Sequence, residues 1–248
     1  MVTVKIWAGL ANKMFQYALY LSLKHKGIEV QYDSESYIPK WDFEDSHLDK
    51  IFKNIDASSF DKLLLESENY PTGQSNYDKF RRYILRKFNI KICFNNSYYV
   101  ESNLKYDRSI FSIKNNSYLV GFWQSEKYFK KIKSQVLRAF EFPSLKNNNN
   151  IDLLKTLNQT NSVSIHIRKG ADYNKDSVNQ TCDLEYYKRS INIINSKVDN
   201  PKYFIFSDNF DWCNKHLNFL NANFVDWNNS SGSDNYIDMQ LMSNCKHN

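Results

Sequence analysis

The 248-residue chain contains only four cysteines, four prolines and six glycines, and it has neither a long hydrophobic run nor a terminal arm of one charge. Each shortage excludes something. Cys93, Cys182, Cys213 and Cys245 never form Cys-x-x-Cys, which argues against both a zinc ribbon and a disulfide framework. No apolar stretch approaches the roughly 20 residues of a membrane helix, and no basic start leads into an apolar leader. The expectation is a cytoplasmic chain without an integral membrane segment. The glycines form no G-x-G-x-x-G fingerprint, Walker loop or Gly-x-Ser-x-Gly elbow, which removes P-loop nucleotidases and serine hydrolases. There is no Asp-x-Asp pair and no His/Cys cluster at ligand spacing, so neither a metal nor another cofactor is expected. The net charge of +6 is spread along the chain without an aromatic-basic module, and no nucleic acid partner is expected.

The residues that are present have the composition of a globular protein, 42% hydrophobic and 16% aromatic. VTVKIW (2–7) alternates as a strand and AGLAN (8–12) turns. A helix follows with Met14, Tyr17, Ala18 and Leu21 on one stripe, Gly27 stops it, and IEVQYD (28–33) is a second strand. Helical patterns occupy 58–67 and 75–88. A short strand lies in 117–123, and one helix is predicted over 125–140, before Pro143. KNNNN (146–150) reads as a polar low-complexity boundary. Beyond it, strands at 162–168, 202–208 and 222–227 alternate with helices at 184–198, 210–220 and 233–247. Strand-helix alternation with short connections means parallel strands covered by helices. The fold class is therefore α/β, with two facing Rossmann-type domains at 1–145 and 151–248. Alternation would next supply a strand, so the second domain reads as truncated at its C-terminal end.

In SVSIHIRKGADY (162–173), period-2 alternation puts Val163, Ile165 and Ile167 on one face and Ser164, His166 and Arg168 on the other. His166 and Arg168 thus reach the carboxyl end of a parallel strand, where open α/β sheets bind ligands. Arginine suits a diphosphate, because its planar fork donates paired hydrogen bonds and stays charged. The alternative is a structural salt bridge at a strand end. Gly170 allows a close backbone approach. Ser207 and Asp208 follow another strand and either line the same crevice or cap the helix that begins near Phe210. Gly9 and Asn12 lie in a strand-to-helix turn whose amides suit an anion.

These segments resemble the α-1,2-fucosyltransferases of glycosyltransferase family 11. AGLANKMFQYALYLSLK is similar to the family's opening Gly-Gly-Leu-Gly-Asn-Gln-Met-Phe-Gln-Tyr-Ala segment, and IHIRKGADY to its His-x-Arg-Arg-Gly-Asp-Tyr motif. SHLDKIFKNI, GFWQSEKYF, FIFSDNFDW and DMQLMSNCKHN match further segments in the same order. The resemblance implies a GT-B-like fold with an acceptor-side first domain and a GDP-fucose-binding second domain. It also implies metal-independent, inverting transfer of fucose to the 2-hydroxyl of a galactose-terminated glycan, lipid-linked or soluble. By position, Arg168 would hold the pyrophosphate with support from His166, and Asp172 would organise the loop. Ser207 and Asp208 would line the nucleotide pocket, and Gly9 and Asn12 would face the donor. Ala8 and Ala11 stand where the family has glycine, Lys13 replaces its glutamine with a charge that could serve the donor, and Ala171 is inserted before Asp172. A non-catalytic homologue and a fucosyltransferase of another linkage class are the alternatives.

Overall fold

The computed structural model describes residues 1–34, 47–56, 98–113, 116–170, 181–229 and 234–248. The helices predicted at 58–67 and 75–88, Cys93 and the site residue Asp172 lie outside them. The chain divides into two compact units, Met1–Pro143 and Ser144–Asn248.

In the first unit the strands are β1 (Val2–Lys5), β2 (Val30–Asp33), β3 (Tyr98–Val100) and β4 (Tyr118–Val120), all parallel in the order β2-β1-β4-β3. Helix α1 (Leu10–His25) crosses from β1 to β2, and Gly27, at φ +75°, ends the passage as the sequence predicts. The buried stripe of α1 is rotated from the predicted one. Lys13, Gln16, Tyr17 and Tyr20 are buried, whereas Met14 and Leu21 are half-buried. Polar residues enter because they have partners: Gln16 Oε1 accepts from Trp7 N at 2.8 Å, and its Nε2 donates to the Gly121 carbonyl at 3.0 Å. Lys5 and Asp33, ladder partners in the β1–β2 register, form a buried ion pair at 3.6 Å, and the Tyr118 hydroxyl donates to the same carboxylate.

The short helix α2 is Leu48–Ile51. The single helix predicted over 125–140 is instead two 3-10 turns, Glu126–Tyr128 and Lys130–Ile132, followed by α3 (Lys133–Ala139). The Ser125 hydroxyl caps the first turn by accepting from Lys127 N, so the segment opens in 3-10 geometry, although the buried residues Tyr128, Ile132 and Ala139 keep the i, i+4, i+11 spacing that suggested one helix.

Ala8 takes φ +69°. A side chain in the left-handed region costs about 1–2 kcal/mol, so the family's glycine at this turn has a physical reason. Ala8→Gly is expected to stabilise the unit by about 0.5–1 kcal/mol, net of the extra entropy of glycine in the unfolded chain. Thermal unfolding of the two chains side by side measures it; no gain would mean that the buried methyl offsets the strain.

In the second unit β5 (Asn161–Ile167), β6 (Pro201–Ser207) and β7 (Ala222–Phe224) form a parallel sheet in that order. Helices α4 (Asn148–Gln159) and α7 (Ile237–Ser243) pack on one face through Leu153, Leu157, Phe204, Phe206 and Leu241. The other face meets α5 (Leu184–Asn195) and α6 (Phe210–His216) through Ile167, Tyr187, Ile205 and Cys213. Burial on both faces explains why β6 reads YFIF without polar alternation. The predicted polar boundary at 146–150 is instead the start of α4: Asn147 caps it by accepting from Asn149 N at 2.8 Å, and the division into units falls between Pro143 and Ser144. On the outer edge of β5, His247 pairs in parallel with Val163.

Candidate functional site

The carboxyl ends of β5 and β6 are tied together by three consecutive side chains. The Ser207 hydroxyl donates to the Ile167 carbonyl at 3.0 Å. Asp208 accepts from the backbone amides of Lys169 and Gly170 through Oδ1, at 2.7 and 2.9 Å, while its Oδ2 meets Arg168 Nε at 3.1 Å. Asn209 donates from Nδ2 to the Lys169 carbonyl at 3.1 Å. The turn after β5 is therefore fixed from β6 on both its donor and acceptor sides. A Cβ on Gly170 would lie 2.8 Å from Asp208 Oδ2, so the glycine permits the carboxylate's approach.

Helix capping of α6 by Ser207 or Asp208 is not what these residues do. Asn209 is the cap, its Oδ1 accepting from Trp212 N at 2.9 Å. Asp208 is spent on the β5 turn, whereas the Ser207 hydroxyl both donates to the Ile167 carbonyl and accepts from Asn209 N at 3.0 Å, just ahead of α6. The salt-bridge reading of Arg168 holds as well: it is paired, yet its side chain keeps 48% exposure against 16% for Asp208. One cation is thus presented at the sheet edge in a fixed attitude. Lys169 extends the cationic character, its Nζ reaching Thr181 Oγ1 at 2.7 Å and lying 5.2 Å from the Trp212 ring centre.

His166 stands two residues before Arg168 with part of its surface open. Desolvation, and after it the Arg168 guanidinium, hold its imidazole below the ordinary histidine pKa, against the opposing fields of Asp208 and Asp238. Asp238, in the first turn of α7, is a residue that sequence reasoning missed. Burial raises its carboxyl pKa, while a hydrogen bond from Asn228 Nδ2 at 2.8 Å and the charge of His166 lower it. Met242, one helical turn after Asp238, lines the same cleft as His166, which sets that face of α7 toward β5.

A depressed imidazole pKa means that the neutral form stabilises the fold above the unfolded value of about 6.5, and that this contribution is lost as pH falls through the lowered folded value. Asp238→Asn removes an opposing carboxylate, so the His166 midpoint, followed by NMR of its ring protons, is expected to move lower still. An unchanged midpoint would show that the two groups do not sense each other.

In the first unit, Gly9 is the residue before α1, with φ −69° and no side-chain cap, and Asn12 accepts from Gln124 Nε2 at 2.7 Å. Lys13 is 5% exposed on the inward side of α1, so it is not displayed at the turn as its charge led one to expect; position 13 shares a face with Leu10 and Tyr17. Among the described residues no three His, Cys, Asp or Glu side chains cluster to hold a metal ion, and no helix is long and apolar enough to cross a membrane.

Two parallel α/β units, one of them presenting a histidine and an arginine at its carboxyl edge, define a GT-B-like fold. The whole sequence, residues 1–248, matches the model of glycosyl transferase family 11, and the chain belongs to that family. It is 30% identical over 256 residues to an α-1,2-colitosyltransferase of Escherichia coli, covering 99% of this chain and 82% of the relative. The O-antigen biosynthesis glycosyltransferase WbnK of the same species is 28% identical over 152 residues, 55% of this chain and 47% of WbnK. The crystal structure of fucosyltransferase NodZ from Bradyrhizobium superposes with a TM-score of 0.52 at 13% identity, covering 98% of this chain and 85% of NodZ. A NodZ α-1,6-fucosyltransferase soaked with GDP-fucose gives the same score at 14% identity and the same coverage. At such identities the likeness speaks for the fold alone.

Proposed function

We propose that this glycosyltransferase moves L-fucose from GDP-fucose to the 2-hydroxyl of a terminal β-galactoside, with inversion at the sugar carbon and without a metal or other cofactor. The observation that carries the reading is the Arg168 guanidinium held at the carboxyl end of β5 by Asp208. As the bond between the sugar and the diphosphate breaks, its electron pair passes to the diphosphate oxygen, and Arg168 stabilises that growing charge without proton transfer. The acceptor oxygen forms the new bond from the opposite side, and its proton leaves to a base. His166 supports the diphosphate as a donor, and Asp172 orders the loop. Asp208 and Ser207 serve by shaping the turn. For Gly9 and Asn12 the reading is electrostatic, since the amide end of α1 favours an anion.

The name of the E. coli relative supports the α-1,2 linkage, and the NodZ structure soaked with GDP-fucose supports the donor class. The second unit is read as the donor side and the first as the acceptor side, acting in the cytoplasm on a lipid-linked or soluble glycan. A colitosyl donor is the second reading, favoured by the same relative. Incubation with GDP-fucose and a β-galactoside, with the product linkage assigned by NMR, is expected to yield an α-1,2-fucosyl galactoside. A folded chain that transfers fucose to no galactoside sinks the proposal.

A further inference from the structure

One aromatic ring at the carboxyl edge of the second sheet has no part in the roles given so far. Trp227 follows β7 and is 39% exposed. Its indole N–H nevertheless donates at 2.7 Å to Oδ1 of Asn150, a residue only 1% exposed. Asn150 donates from Nδ2 to Asn228 Oδ1 at 2.8 Å, and Asn228 donates from Nδ2 to Asp238 Oδ1, also at 2.8 Å. Each amide uses its oxygen as acceptor and its nitrogen as donor, so the chain from Trp227 to Asp238 runs in one direction. It ends at the carboxylate on the face of α7 set toward His166.

A buried amide is costly unless its hydrogen bonds are made. Here they are spent on fixing the polar end of a ring that still leaves 39% of its surface open to water, enough for a planar ligand to cover. The position of the ring indicates its occupant. In the order β5-β6-β7 the exit of β7 lies two strand spacings, roughly 9–10 Å, along the carboxyl edge from β5 and Arg168. The edge carries the Arg168 cation at β5 and an aromatic face at Trp227, with the exposed Asp226 beside it. A nucleoside diphosphate has the same polarity, with its anionic end and its planar base separated by one ribose.

We propose that Trp227 is the stacking surface for the nucleobase of the donor and that Asn150 is the positioning residue that holds the ring. The inference rests on the reading of the second unit as the donor side. Stacking needs only a π-face, so phenylalanine serves in place of tryptophan and leucine does not.

Calorimetric titration of the full chain and of Trp227→Leu, Trp227→Phe and Asn150→Leu, with GDP and with inorganic pyrophosphate, tests it. Trp227→Leu is expected to weaken GDP about tenfold and leave pyrophosphate unchanged, while Trp227→Phe stays within about threefold of wild type. Asn150→Leu is expected to lower the ratio of GDP to pyrophosphate affinity, which a merely structural loss would leave alone. Quenching of intrinsic fluorescence by GDP should be smaller in Trp227→Phe than in the wild type. Wild-type GDP affinity in Trp227→Leu overturns this inference alone. Failure of the folded wild type to bind GDP overturns it together with the proposed function.

Discussion

Arg168→Ala is expected to slow sugar transfer about 10²–10³-fold, the range found when one donor to a developing oxyanion is removed. The loss should appear in GDP affinity and in turnover, because the guanidinium faces the diphosphate before and during bond breakage. Lysine is a poor replacement. A single ammonium cannot keep the Arg168 Nε contact to Asp208 Oδ2 and also offer a planar fork to a phosphate. The variant leaves Asp208 Oδ1 on its two backbone amides, so the turn should persist and the melting temperature should change little. Wild-type transfer by Arg168→Ala would reduce the residue to its salt bridge. Arg168→Ala combined with Asp208→Asn separates the cases further. If Asp208 acts by shaping the turn, the second change should add little to the first.

Gly121→Ala should cost about 3 kcal/mol or more and lower the first thermal transition by roughly 10 °C. A Cβ at Gly121 would stand 2.5 Å from Glu101 Cβ and 2.8 Å from two ring atoms of Trp123. Neither neighbour can withdraw. Trp123 is fully buried and holds φ +55°, and Glu101 Oε2 accepts from the amides of Phe122 and Trp123 at 2.6 and 3.2 Å. Glu101 Oε1 is buried with no hydrogen-bond partner among the described residues, and desolvation raises the carboxyl pKa. The exit of β4 is thus crowded and already strained, and scanning calorimetry would show whether one methyl overloads it. A shift of less than a few degrees would mean that the β4 exit relaxes more readily than its packing implies.

The strand at 161–167 was legible because its side chains alternate with the period of the pleat, and the same period placed His166 and Arg168 at one edge. Parallel sheets followed from the repeated passage of strand to helix. Three features were illegible for physical reasons. The α1 stripe was misplaced because Gln16 is buried by bonds to Trp7 and Gly121, and the second partner is 105 residues away. The KNNNN run looked like a solvated linker, yet one of its asparagines caps α4 and another is buried against Asn228, 78 residues distant. Composition reports what a segment prefers in water, not which distant group will satisfy it. The division of labour among Ser207, Asp208 and Asn209 also escaped, since all three are suitable caps and only the neighbouring strand decides which is used.

The thiols offer an experimental handle on the same turn. Cys213 and Cys245 are buried, and desolvation raises both, the latter to about 11, whereas Cys182 is exposed. Among the described cysteines, a maleimide dye at neutral pH will therefore find Cys182 first. That residue is next to Thr181, whose hydroxyl receives Lys169 Nζ directly after Arg168. A fluorophore there would turn movement or occupancy at the sheet edge into an optical signal, readable in a stopped-flow instrument on the timescale of a single turnover.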